Sequence, residues 1–398
     1  MEIDSRAFWV WLQRALGAGS GKPRRILSVF PGPREFYEAG RREWTMLGIF
    51  TQKELFAMES FSPEEAQETV RRSEELGHRV VTQESAEYPQ CLRNIHNPPC
   101  ALYVRGSLPD FDALPSVAVV GTRGATFSGR KIAFGLSRQL AGAGAVVVSG
   151  GARGIDTAAH KGALQAGGKT VCVLGCGLDF PYLMENAGLR DSIALCGAVI
   201  SEYPLGTPGS KRAFPIRNRI ISGLCDGTLV VEAAAKSGSL ITADLALEQG
   251  RDVFAVPCGL DNPVSRGVNN LIKTGAVPVS SGYEILEQYR SRYPGKIRFE
   301  RERDLSGLLR GAPAPAGQRK PPAPSRQAEP KEERAPCGAE FSADARAVCA
   351  QIGPEPVPFS VLGQKTGLDA ARLLSALTEL ELGEKIESLG GRRYRLPQ

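Results

Sequence analysis

Six short, almost entirely apolar segments recur between residues 116 and 290 and limit the fold more than any other feature. They read VAVVG, AVVVSG, TVCVLG, AVISE, TLVVE and VFAVP. Strands of this kind are buried on both faces, as in a parallel sheet covered by helices. Helix-like stretches that end in glycine lie between them, among them GRKIAFGLSRQLAGAG. This βα repetition predicts an α/β fold with a doubly wound, mostly parallel sheet.

The rest of the chain predicts further regions on either side of the sheet. Residues 1–87 hold all three tryptophans and helical patterning such as PEEAQETVRRSEELG, which predicts a small helical domain. The sheet domain is expected to span 88–300. Proline, alanine and mixed charge over 301–340 predict a flexible linker. Over 341–398, a helix, a helix-turn-helix pattern and two short closing strands predict a winged helix.

Composition excludes several classes of protein. The chain has no apolar run near the ~18 residues that span a bilayer, and its start, MEIDSRAFWVWLQ, lacks the apolar stretch of a signal peptide. Nine cysteines without a CxxC pair favour free thiols in a reducing cytoplasm over a disulfide frame or a zinc site. Only three histidines are available for acid–base or metal chemistry. We therefore expect a cytoplasmic protein without membrane contact or a zinc site, and with little room for histidine-based metal or acid–base chemistry; no metal or cofactor is expected.

Glycine-rich loops follow the first two strands of the predicted sheet, at the edge where doubly wound folds bind ligands. The loop residues are Gly121, Thr122 and Arg123 in the first, and Ser149, Gly150 and Gly151 in the second. Backbone N–H groups at a helix start attract phosphate, an arginine adds a forked donor, and glycines let a ligand approach closely. The first loop is not GxGxxG and no acidic residue closes the next strand, which disfavours NAD. Asp156 and His160 share a helix face, where capping and packing are favoured over catalysis.

Cations surround one aromatic residue in a third segment. Its candidate ligands for DNA are Lys211, Phe214, Arg217 and Asn218, with Arg212 and Arg219 as weaker candidates. Lysine and arginine contact phosphates, and an aromatic face stacks on an unpaired base, worth ~1–3 kcal/mol per base. The alternative makes Phe214 a core anchor and the cations a solvated helix start. A fourth segment, with Ser237, Gly238 and Ser239, is interpreted as a helix cap and a pocket wall.

These segments resemble successive blocks of one known family. VAVVGTR, SGGARGIDTAAHKGAL, SEYPLGTP, FPIRNRIISGL, VVEAAAKSGSLITADLALEQGRDVFAVP and GVNNLIKTGA occur in order over about residues 88–285 and are similar to DNA-processing protein A, the Smf/DprA family. The resemblance implies an extended Rossmann-like domain, preceded by a helical SAM-like domain and followed by a winged helix. One departure is the segment Tyr182-Leu183-Met184, where the family's proline stands elsewhere, so that wall of the pocket is expected to differ.

The resemblance also implies a function without catalysis. Members of the family bind and protect single-stranded DNA, form homodimers through the Rossmann-like domain, and load the RecA recombinase during natural transformation and recombination. The arginine of the VG(S/T)R block corresponds to Arg123. The family's Lys-x-x-Phe-Pro-x-Arg-Asn block corresponds to Lys211, Phe214, Arg217 and Asn218, the residues already identified as phosphate and base contacts.

Two other functions stay open at the level of sequence. A Rossmann-type enzyme acting on a nucleoside monophosphate, similar to a phosphoribohydrolase, would use Glu202 and Glu232 as its carboxylates, although the PGGxGTxxE signature is replaced by EAAAKSGSLITA. A purely structural interaction protein would explain the linker and the winged helix. It would not explain why cations and glycines converge on one sheet edge.

The central and C-terminal regions of the chain differ in net charge. The whole sequence carries a net charge of +6. Residues 116–290 contain 17 Lys and Arg against 13 Asp and Glu, whereas residues 340–398 contain 7 against 8. Because phosphate binding needs basic residues, we expect the winged helix to contact proteins, or duplex DNA weakly through Arg392, Arg393 and Arg395.

Overall fold

The computed structural model describes most of the chain in two compact units, residues 1–312 and 313–398, each taken by itself below. The described residues are 3–259, 263–299, 341–353, 355–368, 370–382, 385–389 and 393–396. The predicted linker over 301–340 lies outside them. No helix in these ranges is long and apolar enough to cross a membrane.

The N-terminal helices enclose a core built on the tryptophans. They are α1 (Ser5–Leu16), α2 (Lys22–Leu27), α3 (Pro33–Met46), α4 (Gln52–Ser60) and α5 (Pro63–Glu75). Capping boxes at Thr51 and Ser62 start α4 and α5 by satisfying the first free N–H groups of each helix. The rings of Trp11 and Trp44 lie 5.7 Å apart, and the same core includes Tyr103 from the neighbouring sheet. The N-terminal helices therefore pack directly on the sheet.

A nine-stranded sheet forms the centre of this unit. Its strands are β1 (Arg79–Thr82), β2 (Ala101–Gly106), β3 (Ser116–Val120), β4 (Val146–Gly150), β5 (Thr170–Leu174), β6 (Ala198–Ser201), β7 (Gly227–Val230), β8 (Asp252–Ala255) and β9 (Val277–Pro278). The order across the sheet is β1-β2-β6-β5-β4-β3-β7-β8-β9, with β1, β2 and β6 paired antiparallel and the other neighbours parallel. All six predicted strands are confirmed, and the sheet is mostly parallel as expected. β1, β2 and β9 were not predicted from the sequence.

Helices cover both faces of the sheet. They are α6 (Gln90–Arg93), α7 (Phe127–Gly142), α8 (Ile155–Gln165), α9 (Ala187–Cys196), α10 (Ala213–Gly223), α11 (Gly238–Glu248), α12 (Arg266–Lys273) and α13 (Gly282–Glu287). Separate apolar clusters fill the two faces, with Val148 and Val230 in one and Val147 and Leu229 in the other. Consecutive residues of one strand thus point to opposite cores, which explains why the strands are apolar throughout.

The order of the strands determines where along the sheet a ligand can bind. The chain winds outward from β3 through β4, β5 and β6 on one side, and then returns to add β7 and β8 on the other. The loops that follow β3 and β7 therefore run in opposite directions and leave a crevice between them. In open α/β sheets, ligands bind in this crevice beyond the carboxyl ends of the strands.

Cysteines contribute mainly to the core. Cys172 and Cys176 are buried as predicted, and burial raises the pKa of their thiols to about 12 and about 11, so they stay protonated near neutral pH. Cys91, Cys225 and Cys258 are also free thiols. The expectation of free thiols is wrong at Cys349, which is disulfide-bonded.

The C-terminal unit has the helices and the small sheet of a winged helix. Its elements are α14 (Ala343–Cys349), α15 (Phe359–Thr366), α16 (Ala370–Leu382), β10 (Val357–Pro358), β11 (Glu387–Leu389) and β12 (Arg393–Arg395). The strands pair antiparallel in the order β10-β12-β11. Val348, Leu373 and Leu377 form the core with Tyr394 from β12. The predicted winged helix is confirmed.

Arginines of the winged helix are already paired with carboxylates. Arg395 contacts Glu387 across the closing hairpin at 2.9 Å, and Arg372 contacts Asp344 at 2.8 Å. Arg392 lies outside the described residues. Both pairs are partly exposed and therefore weak, so the expectation that this unit binds DNA only weakly rests on its charge count.

Candidate nucleic-acid interface

A cavity of about 530 Å³, here called the inner pocket, opens in the crevice between β3 and β7. The candidate residues that line it are Gly121, Thr122, Arg123, Lys211, Phe214, Arg217, Asn218, Ser237, Gly238 and Ser239. They come from the loop after β3, the start of α10 and the start of α11. Segments that are separated by more than 110 residues in sequence therefore meet at one place.

A second cavity of about 580 Å³, here called the outer pocket, lies beside the first. The two share Arg123, Lys211 and Phe214, so these three residues stand between them. The outer pocket is also lined by Arg153 from the loop after β4 and by Tyr182 from the loop after β5. Together the pockets make one groove with cations and aromatic rings along it.

Phe214 is the centre of this groove. The guanidinium carbon of Arg123 lies 4.8 Å from the centroid of its ring, that of Arg217 lies 6.0 Å away, and the ring of Tyr182 is at 5.6 Å. Cations at these distances are attracted to the face of an aromatic ring. Phe214 is half-buried, so it is both packed by its neighbours and open to the two pockets. Two of the three side chains that pack on it, Arg123 and Arg217, are themselves candidate DNA contacts.

Arg217 forms the floor of the inner pocket and is only 5% exposed. Its guanidinium donates to the carbonyl of Val173, and its Nη2 lies 3.9 Å from Oδ2 of Asp156. Burial raises the pKa of Asp156, an effect that the positive charge of Arg217 opposes. A Cβ at Gly150 would come within 2.3 Å of Arg217, so only glycine leaves room for the guanidinium. Gly150 therefore does not line the pocket itself, and it affects the site by leaving room for the Arg217 guanidinium.

Helix N-termini add partial positive charge to the groove. Helices α10 and α11 begin at its wall, and Ser237 caps α11. Helix α7 begins just after the loop that carries Arg123, but the N–H of its cap residue Thr126 already donates to the Glu232 carboxylate. Because unpaired N–H groups and the helix dipole attract anions, the groove suits a negatively charged ligand.

A known protein family matches the part of the chain that forms the groove. The profile of the family described as DNA recombination-mediator protein A matches residues 79–290, more than half of the chain. The chain belongs to the DNA recombination-mediator protein A family. A second profile, the DprA winged helix domain, matches residues 319–392.

Relatives from three bacteria show how far the similarity to this family extends. The chain is 46% identical over 206 residues to DNA processing protein DprA of Streptococcus pneumoniae, covering 51% of this chain and 71% of the relative. The X-ray structure of the Streptococcus pneumoniae DNA processing protein A matches with a TM-score of 0.62 and 34% identity, over 75% of this chain and 100% of that one. Protein Smf of Escherichia coli is 37% identical over 324 residues, 81% of this chain and 79% of the relative. A structure of DNA processing protein A from Helicobacter pylori, which describes its single-stranded DNA binding mode, covers 54% of this chain and 97% of that one at 32% identity, with a TM-score of 0.49.

Several residues that the sequence predicted to contact DNA lie away from both pockets. The hydroxyl of Ser149 is buried and donates to the carbonyl of Val119 at 2.6 Å. Gly151 packs against Leu174 at the back of the loop. Arg212 is exposed outside the lining of both pockets. Arg219 is buried elsewhere, in an ion pair of 2.6 Å with Glu202.

The two carboxylates of the enzyme hypothesis both have structural partners. Glu202 pairs with Arg219 and also accepts from the N–H of Gly19 at 3.1 Å. Glu232 is buried at the start of α7, where it accepts from the N–H of Thr126 at 2.9 Å and from the hydroxyl of the same residue. A general acid or base needs reach to its substrate, and neither carboxylate faces the groove.

His160 and Asp156 make local contacts of the kind that the sequence favoured, and Asp156 also lines the inner pocket beside Arg217. His160 is buried between Thr170, at 2.8 Å from Nδ1, and the carbonyl of Gly150, at 2.9 Å from Nε2. Burial lowers the pKa of His160 to about 4, so the ring is neutral near pH 7. Asp156 accepts from the N–H of Ala152 at 3.2 Å and so fixes the loop after β4.

Arg153 was not predicted from the sequence as a residue of the site, and Tyr182 was expected only as part of an altered pocket wall. Tyr182 lies in the segment that departs from the family pattern, and its distance to Phe214 appears only when the loop after β5 folds over the start of α10. Arg153 follows the second glycine-rich loop, so its place in the sequence was a usable signal.

Proposed function

We propose that the protein binds single-stranded DNA in the groove, protects it, and loads the RecA recombinase onto it. The observation that carries this proposal is the convergence of Arg123 and Lys211 on the ring of Phe214 at the mouth of two joined pockets. Within the part of the chain that the structure describes, neither cation is in an ion pair with a carboxylate. Both are exposed and are therefore free to contact phosphate.

The preference for a single strand follows from Phe214. An aromatic ring binds a base through its face, and a base exposes its face only when it is not stacked in a duplex. The inner pocket, at about 530 Å³, is large enough to take one nucleotide. Asn218 lines the same pocket and adds an amide that donates and accepts hydrogen bonds. We propose a binding role without catalysis, in the cytoplasm.

We expect the full-length protein to bind a mixed-sequence single strand about tenfold or more tightly than the matching duplex, since one stacked base contributes about 1–3 kcal/mol. A plot of log K against log salt should slope by about −0.7 for each phosphate contacted on the single strand. Gel shift or fluorescence anisotropy over a salt series measures both. Equal affinity for the two forms of DNA would contradict the proposal, and turnover of nucleoside monophosphates would favour the enzyme.

We propose further that loading is carried out by a homodimer joined through the sheet domain. β9 is an edge strand, and its Val277 is 39% exposed. Leu247, at the end of the helix that packs over β7 and β8, is 59% exposed. Exposed apolar side chains at a sheet edge are suited to association with a second copy.

Val277→Asp is expected to shift the protein from dimer to monomer and to slow RecA assembly on DNA coated with single-strand-binding protein. A charge at a buried apolar contact opposes association, and each chain should keep its affinity for short oligonucleotides. Light scattering gives the mass, and RecA ATPase activity follows assembly. Leu195→Asp is the matched control, because Leu195 is exposed on α9 over the other half of the sheet. An unchanged mass with Val277→Asp would remove this edge as the interface.

A further inference from the structure

We propose that the outer pocket is a second nucleotide subsite, in which Arg153 contacts a DNA phosphate after it is released from Glu185. This inference rests on the proposed function and extends it along the strand. Glu185 then acts as a competitor of DNA for the same guanidinium, and it sets how tightly the groove holds a strand.

The lining of the outer pocket has the chemistry of an anion site. Arg123, Arg153 and Lys211 line it, and no carboxylate is among its lining residues within the described part of the chain. Tyr182 and Phe180 add aromatic surface to its lining. Because Phe214 belongs to both pockets, a strand that stacks one base on it continues directly into this second cavity.

Arg153 is held at the rim by one exposed partner. Its Nη2 donates to Oε2 of Glu185 at 2.7 Å, and its Nε donates to the other carboxylate oxygen. The pairing lowers the pKa of the Glu185 carboxyl, so the carboxylate is charged near neutral pH. The two side chains are 63% and 49% exposed. An ion pair of this exposure is weak, and a DNA phosphate offers the same forked acceptor to the guanidinium.

Arg153 and Glu185 come from different loops, so their ion pair joins two separate segments at the rim of the outer pocket. Arg153 follows β4, and Glu185 lies in a short 3₁₀ turn (Met184–Asn186) after β5. The residue before that turn, Leu183, has a φ of 43°, in the left-handed region that few non-glycine residues adopt. This backbone carries Tyr182 into the pocket and Glu185 to its rim. The segment that departs from the family pattern thus provides the aromatic wall, and the residue directly after it provides the competing carboxylate.

Glu185→Gln is the direct test, measured on the full-length protein with an oligothymidylate of about 15 nucleotides, long enough to occupy both pockets. We expect about threefold tighter binding, as removal of a weak exposed pair allows. The slope of log K against log salt should change by less than about 0.7, because Arg153 contacts the same phosphate in both proteins and only its release from Glu185 becomes easier. Glu287→Gln is the matched control, because it releases Arg290 from an exposed pair of similar exposure on α13, away from the groove.

A double-mutant cycle separates release of Arg153 from simple loss of a negative charge. If Glu185 acts by holding Arg153, then Glu185→Gln has little effect in an Arg153→Ala background. An equal gain in both backgrounds would mean that Glu185 only repels DNA, and no gain in either would make the pair a structural tie between loops; both results overturn the inference. Binding by the wild type distinguishes failure of this inference from failure of the proposed function. If the wild type does not bind single strands, the proposed function is wrong as well. Thermal unfolding confirms that the variants are folded.

Discussion

The Arg123→Ala, Lys211→Ala double variant is expected to bind single-stranded DNA about 100-fold more weakly than the wild type at about 0.1 M salt. Each charge-assisted hydrogen bond to a phosphate contributes about 1.5–3 kcal/mol, and every 1.4 kcal/mol is tenfold in affinity. Both side chains border the two pockets, so their removal affects the whole groove. Fluorescence anisotropy with a labelled oligonucleotide measures the change directly.

The loss should be equal for all sequences, because phosphate contacts do not distinguish bases. With two phosphate contacts gone, the slope of log K against log salt should become shallower by about 1.4. An unchanged slope with reduced affinity would place the effect on packing around Phe214, where Arg123 lies over the ring. Unchanged affinity in the double variant would refute the assignment of the groove.

Arg138→Ala, Lys169→Ala is the control for total charge. It removes the same two positive charges from exposed positions, one in the second half of α7 and one just before β5. Both positions lie toward the amino ends of the strands, at the far side of the sheet from the groove. Affinity should fall only slightly, since charges beyond a Debye length of about 10 Å are screened at this salt concentration.

The sequence predicted the central strands because burial on both faces makes them apolar throughout. All six apolar segments became β3 to β8, and the glycine-rich loops marked the edge at which they end. β9 has only two residues, both exposed, so it carries no such pattern. β1 lies inside the segment assigned to the helical domain, and its pairing with β2 depends on contacts distant in sequence. Short edge strands are specified by tertiary packing more than by their own residues.

The candidate site was harder to predict at the level of side-chain direction. The cationic segment begins before α10 and continues into it, and successive helical residues point about 100° apart. Arg217 turns to the pocket floor, Asn218 donates to the carbonyl of Gly238, and Arg219 turns to Glu202. Three adjacent candidates thus reach three different neighbours, and a linear sequence does not distinguish them. The residue types indicated polar and charged contacts, but which neighbour each side chain contacts is determined by the fold.

Arg219→Ala is expected to lower the free energy of unfolding of the sheet unit by about 3–5 kcal/mol, because removal of one partner leaves a buried charge uncompensated. The side chains of Arg219 and Glu202 are 8% and 3% exposed, and Nη2 lies 2.6 Å from Oε1. The same carboxylate accepts from the N–H of Gly19, and the carbonyl of Glu202 accepts from Gln13 of α1 at 2.6 Å. The pair therefore also joins the N-terminal helices to the sheet.

Tryptophan fluorescence during urea unfolding is the suitable measurement. All three tryptophans belong to the N-terminal helices that contact this pair, so their signal follows the loss of that contact. Arg219→Met together with Glu202→Leu is the compensating variant, since apolar side chains of similar volume often replace a buried ion pair without loss of stability. Recovery of most of the lost free energy is expected. If the double variant is as unstable as the single one, the damage comes from packing rather than from the unpaired charge.

DNA binding by Arg219→Ala distinguishes a role in the fold from a role at the phosphate backbone. Arg219 lines neither pocket, so the folded variant should bind single strands with an affinity close to that of the wild type when measured well below its unfolding midpoint. Arg123→Ala should behave in the opposite way, with weakened binding and nearly unchanged stability, because its guanidinium is exposed. The two variants thus separate an arginine that is buried and stabilises the fold from one that is exposed at the groove and contacts the strand. Weakened binding by Arg219→Ala at full stability would place its guanidinium on the DNA and contradict the buried pair.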